Sequence, residues 1–179
     1  MGKIKYPPSA KLIISIIFRD EEISSLAKGR LYERYGRIDF ESDIIPFDFT
    51  DYYEREMGRD LKRGFISFND LIEIESLPEI KLHTNEIETM FTGEEGGRLI
   101  NIDPGYLSAE KLVLSTTKNY NHRPYLGKGI YAELVYCFYK GSFHPLDWTY
   151  PDYKVKTNIE MFNRIRKRYM EQLKMMKVI

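Results

Sequence analysis

Leu12 to Phe18 is an Ile-rich, essentially continuous apolar run of strand length. A strand with one wet face alternates apolar and polar residues. A run without that alternation fits a strand covered on both faces. This segment is therefore expected to be a central strand, and the rest of the chain must supply layers to bury it. Asp20 can cap a following helix whose apolar positions Ile23, Leu26, Ala27, Leu31 and Tyr35 recur at helical spacing, with Gly36 placed to end it. Ile38 to Phe47 and Leu61 to Phe68 read as the next two strands. Ser76-Leu77-Pro78-Glu79 is a capping-box pattern ahead of a helix facing inward through Ile80, Thr84, Ile87 and Phe91, and Leu99 to Ile102 follows as a short strand.

That order, β-α-β-β-α-β over about 10–105, predicts an α+β ferredoxin-like core: an antiparallel sheet with helices on one side. An extension over about 106–179 completes a single domain, 1–179. Ser108 reads as the cap of a helix bearing Leu112, Val113 and Thr116. A C-terminal β-meander then spans Tyr125–Leu126, Ile130–Tyr139 and Phe143–Leu146, with turns at Gly127-Lys128-Gly129 and Lys140-Gly141. Thr157 and Glu160 form a capping box for a final amphipathic helix with the stripe Ile159, Phe162, Ile165, Tyr169, Leu173 and Met176.

Lys and Arg together number 27, as do Asp and Glu, so zero formal charge gives no bulk drive toward nucleic acid or an anionic membrane. The apolar run at 12–18 is too short to span a bilayer, and the single cysteine, Cys137, sits in an apolar strand-like run where burial is expected. A cytoplasmic location fits these features.

Three segments mix ionisable and aromatic residues at the ends of elements. Pro46 to Tyr53 carries Asp48, Asp51 and four rings, among them Tyr52. Asn101-Ile102-Asp103-Pro104-Gly105-Tyr106 places Asn101 and Asp103 on one side of a strand that then leaves through an Asp-Pro-Gly turn. Lys118 to Arg123 gathers two cations, two amides and the imidazole of His122. Arg123 offers a bidentate fork for phosphate or carboxylate, and the His122 imidazole is a proton-transfer group. Asp48, Asp51, Tyr52, Asn101, Lys118 and Arg123 are the candidate ligand-binding residues, and Asp103, as an acid or metal ligand, and His122, as a proton carrier, are the catalytic candidates. They suit a small phosphorylated or nucleotide-like anion, with a divalent cation as a compatible bridge. Each segment also has a bland reading: an Asp-capped turn anchored by aromatics, an Asp-Pro-Gly turn before a helix, and a helix end whose carbonyls are met by Lys118 and His122. The alternatives are an RNA- or protein-interaction module using the exposed rings and the basic residues Arg164, Arg166, Lys167 and Arg168, or a structural homo-oligomer.

His83 and Glu86 stand three apart on a helix, a spacing more often a solvated contact than a metal pair, and no metal site is assigned. Trp148 to Tyr153 groups the only tryptophan with two tyrosines, wall or lid material. Ser108-Ala109-Glu110-Lys111 matches Ser-x-x-Lys, but no Lys-Thr-Gly follows. Gly127-Lys128-Gly129 lacks the spacing of a phosphate-binding loop.

Several blocks together resemble an uncharacterised prokaryotic family, domain-of-unknown-function family 4416, over nearly the whole length. They are Pro46–Tyr53, Ile80–Leu82 with Thr84-Asn85, Asn101–Leu107, Lys111–Lys118, His122-Arg123 with Tyr125–Gly127, Gly129–Glu133 and Trp148–Tyr153. The resemblance implies no established activity. Some members carry a GTP-binding label, but a P-loop GTPase is not supported here, since both the P-loop and Asn-Lys-x-Asp are missing.

Overall fold

A computed structural model of the chain describes residues 2–94 and 96–178. The central run becomes β1 (Ala10–Phe18), and all nine of its residues are buried. Helix α1 (Glu21–Tyr35) starts at Asp20, whose carboxylate accepts from the Glu22 N–H at 2.8 Å, and ends at Gly36, whose φ of 81° only glycine adopts freely. Its inward row is Ile23, Ala27, Leu31 and Tyr35, while Leu26, expected in the core, is 56% exposed. The i, i+4 row and the neighbouring Ser24 face the sheet, and Leu26 lies off that face.

The expected strand 38–47 is split into β2 (Ile38–Glu41) and β3 (Ile45–Pro46), both paired with the long β4 (Lys62–Ile72). At the break the Ser42 hydroxyl accepts from the Phe65 N–H at 2.9 Å while the Ser42 N–H donates to the Phe65 carbonyl at 2.9 Å, so a side chain makes one of the two bonds there. A four-residue helix, α2 (Glu54–Met57), precedes β4. Helix α3 (Leu77–Met90) forms as expected, but Ser76 does not cap it: its hydroxyl donates to the Glu73 carbonyl instead.

Two expectations for the next segment are overturned. Asp103-Pro104-Gly105 is not a turn but the middle of β5 (Ile100–Leu107), and no helix follows Ser108. Residues Lys111–Thr116 form β6, paired with β5 through a hairpin that the Ser108 N–H closes onto the Lys111 carbonyl. Pro104 is tolerated because the β5–β6 ladder begins one residue later, at Gly105. Gly105 is required there: a Cβ would lie 2.3 Å from the Val113 carbonyl oxygen. The meander follows as β7 (Tyr125–Gly127), β8 (Ile130–Tyr139) and β9 (Ser142–Pro145). Helix α4 (Lys156–Met175) begins without its expected Thr157 cap. Asn158 instead donates to the Asp152 carbonyl at 2.8 Å.

The result is a mixed α/β architecture: one nine-stranded sheet in the order β2-β4-β1-β5-β6-β8-β7, with β3 on β4 and β9 on β8, every pairing antiparallel. Period-two alternation in β1 sends Leu12, Ile14, Ile16 and Phe18 to the side of α1 and α3. Ile13 points to the other side, where Phe162, Ile165, Tyr169 and Leu173 of α4 pack. Met161 joins that core, whereas Met176 is 57% exposed. Cys137 is half-buried rather than buried. Both faces of β1 are covered, as its sequence demands.

Candidate functional site at the fork between two strands

Strands β5 and β6 pair only at residues 105–107 against 112–114. Beyond Gly105 they part, and β5 exposes the N–H and C=O of Ile102 on the side that β6 has left. Buried backbone polar groups need partners. Helix α3 provides both: Lys81 Nζ donates to the Ile102 carbonyl at 2.9 Å, and Glu88 Oε1 accepts from the Ile102 N–H at 2.5 Å. Lys81 also meets Asp103 Oδ1 at 3.1 Å, and Asn101 Nδ2 donates to Asp103 Oδ2 at 2.6 Å. A cavity of about 260 Å³ occupies the fork, walled by these side chains and by Asn85, Arg98, Glu133, Tyr150 and the end of β6.

A second cavity, about 430 Å³, adjoins the first and shares Tyr53, Asp103, Leu114, Lys118 and Tyr150 with it. Six rings stand in its walls: Phe47, Phe49, Tyr52 and Tyr53 from the segment before α2, and Tyr150 and Tyr153 from the segment before α4. The Arg63 guanidinium lies over Phe47 at 4.6 Å, Tyr153 at 5.2 Å and Phe65 at 5.5 Å, and is paired with Asp152, both side chains being buried. The site therefore has a charged chamber and an aromatic one, joined at Lys118 and Asp103.

Cations and carboxylates pair almost one to one: Lys81 with Asp103, Arg63 with Asp152, Arg98 with Glu88 and Glu56 at 3.0 Å each, and Arg123 with Glu133 at 2.6 Å. Burial works against the charged form of Asp103, but the Lys81 ammonium, the Asn101 amide and Arg63 outweigh it and hold this carboxyl below its usual range. Glu88 goes the other way. Its burial and the nearby Asp103 charge raise it despite Lys81, the Ile102 N–H and Arg98. Burial also pushes the Tyr53 and Tyr150 hydroxyls upward, so both remain protonated donors across the physiological range. Lys118 is the exception. Among the described residues it has no carboxylate within 4 Å, and its ammonium donates to the Tyr52 hydroxyl at 2.6 Å while lying 4.0 Å from that ring's centre.

A family model described as Domain of unknown function (DUF4416) matches residues 8–169. The chain belongs to the DUF4416 family. No curated protein and no solved structure matches it. Every wall of the fork lies within the DUF4416 match. Among the described residues no helix is long and apolar enough to cross a membrane.

Of the residues singled out in this DUF4416 sequence, Asn101, Asp103 and Lys118 line the charged chamber, and Tyr52 the aromatic one. Asp48 and Asp51 are exposed and line neither. Arg123 and His122 stand behind Glu133. Arg123 is engaged by Glu133, the Tyr150 hydroxyl at 2.8 Å and the Lys118 carbonyl at 3.2 Å. His122 stacks on Trp148 at 5.0 Å and reaches Glu133 only at 3.8 Å. Trp148 itself donates to the Leu134 carbonyl, filling the gap between β7 and β9. His83 bonds the Tyr35 hydroxyl at 2.8 Å, and among the described residues no group of three or more His, Cys, Asp or Glu is placed to hold a metal ion. On α4, Arg166 donates to the Ala109 carbonyl and covers Phe138, and Arg168 donates to the Asp39 carbonyl, so two of the four basic residues serve the fold.

The sequence reading missed Lys81, Glu88, Glu133 and the Arg63–Asp152 pair. A signal existed for three of them. Lys81 and Glu88 lie seven apart on the same helical face as Ile80, Thr84 and Ile87, and Glu133 interrupts the apolar run of β8. A charge inside a buried stripe must be paired or functional.

Proposed function

We propose that the fork binds a small organic anion, its charged group at Lys118 and its flat or apolar body among the rings of the adjoining chamber. One observation carries this reading: each of the other site cations has a carboxylate partner, while Lys118, at the junction of the two cavities, has none among the described residues. An anionic group at Lys118 gains a charge-assisted hydrogen bond, and Tyr53 supplies a neutral donor nearby. Phosphorylated and nucleotide-like molecules are the first class to test, since they combine charge with a flat ring. Rings and charged groups on one cavity favour this over a nucleic-acid surface, because two of the basic residues of α4 are spent on internal contacts. The strand order β2-β4-β1-β5 supports reading 10–107 as a ferredoxin-like unit, and the unbroken sheet supports one domain over 1–179.

The test is a thermal-shift panel of nucleotides, sugar phosphates and aryl phosphates, with and without Mg²⁺. A ligand that binds only the folded state raises Tm by mass action. At least one compound should raise it, and Lys118→Ala should abolish the rise without lowering the unliganded Tm. A flat response across the panel, or a rise that survives Lys118→Ala, removes this assignment.

A further inference from the structure

We propose that Tyr52 is a built-in stand-in for the ligand, its hydroxyl occupying the Lys118 ammonium until an incoming anion displaces it. This rests on the reading of the fork as an anion site. Tyr52 belongs to a strap that is fixed at both ends and free in the middle. Phe47 and Met57 are buried together with Ile17 and Leu61. Arg98 holds Glu56, and Gly97 passes so close that a Cβ would sit 2.7 Å from the Glu56 carbonyl oxygen. Between those anchors, residues 48–52 are all exposed. The last backbone bond to the sheet side is made at the anchor, where the Phe47 N–H donates to the Leu61 carbonyl at 2.7 Å, so moving residues 48–52 costs no sheet pairing.

Chemistry makes Tyr52 a weak occupant. A neutral phenol oxygen satisfies one donor of an ammonium, whereas a phosphoryl or carboxylate oxygen satisfies it with opposite charge. The phenol also lays its ring against Lys118. Tyr52 remains 57% exposed while making these contacts, so its release opens no hole in the core. An occupant of this kind keeps the exposed Lys118 ammonium engaged in the empty protein and sets a threshold that a ligand must exceed. A fraction of molecules with Tyr52 docked lowers the apparent affinity by that fraction.

The test uses phenyl phosphate as probe, with the full chain, by titration calorimetry. Tyr52→Phe keeps the ring and removes the oxygen, and should tighten binding roughly threefold to tenfold. Lys118→Ala should abolish binding in both backgrounds. Amide exchange over 48–52 should speed up when phenyl phosphate is added to the native chain. Equal or weaker binding by Tyr52→Phe, or slower exchange over 48–52, means the hydroxyl helps hold the ligand, and overturns the stand-in while leaving the site intact. Binding indifferent to Lys118→Ala, or absent from both the native chain and Tyr52→Phe, overturns the anion site as well.

Discussion

Glu88 of α3 and Asp103 of β5 meet at Ile102 yet are driven in opposite directions, and their variants should behave accordingly. Asp103 is held low, so its contribution to stability is present above the unfolded aspartate value of about 3.9 and is lost as pH falls through the lower, folded value. Asp103→Asn should cost about 3 kcal/mol at neutral pH, because Lys81, only 6% exposed, loses its counter-charge, and the deficit should shrink in acid. Glu88 is held high, so its contribution is complete below the unfolded glutamate value of about 4.3 and is lost as pH rises through the folded value. The stability of Glu88→Gln relative to the native chain should therefore improve as pH rises from about 4 toward neutrality. Urea titrations across that range check both signs. The Ile102 amide gives an independent readout: it donates to the Glu88 carboxylate, so its proton resonance should titrate with Glu88 and stop doing so in Glu88→Gln.

Among the elements, β5 and β6 carry the clearest test. Gly105→Ala drives a Cβ into the Val113 carbonyl and the Leu114 side chain, and backbone cannot yield as a flexible tip can. The cost should be about 1–3 kcal/mol, seen as a lower urea midpoint with unchanged slope. This pair of strands also marks where the sequence was legible and where it was not. β1 was readable because an apolar run needs no partner to identify it, and α1 because Asp20 and Gly36 act within a few residues of their own position. β6 was misread because Leu112, Val113 and Thr116 fit a helical row as well as an alternating strand. Pairing with β8, some twenty residues away, decides the matter. Asp103-Pro104-Gly105 carried every mark of a turn. The same glycine serves instead to let Val113 approach, a demand that only the assembled sheet makes. The candidate site was legible in part for the same reason: Asn101, Asp103 and Lys118 lie in segments whose mix of charged, amide and aromatic residues is visible in the chain, while Lys81 and Glu88 find their backbone partners on Ile102 only because β6 departs there.

At the scale of the whole molecule, α4 spans the fork. Its core joins Ile13 and Phe65 on one side to Leu114, Val135 and Phe143 on the other, with Phe162 against Phe65, Tyr136 and Tyr153. Phe162→Ala should cost about 3–5 kcal/mol, measurable by chemical denaturation. The ladders on either side of the fork are long: eight residue pairs join β1 to β5 and six join β6 to β8, against three between β5 and β6. A plate scored along one line bends along that line. With three pairs at the fork against eight and six on its flanks, β5 and β6 are the seam where this sheet resists bending least, and α4, packed on both sides of it, is the brace.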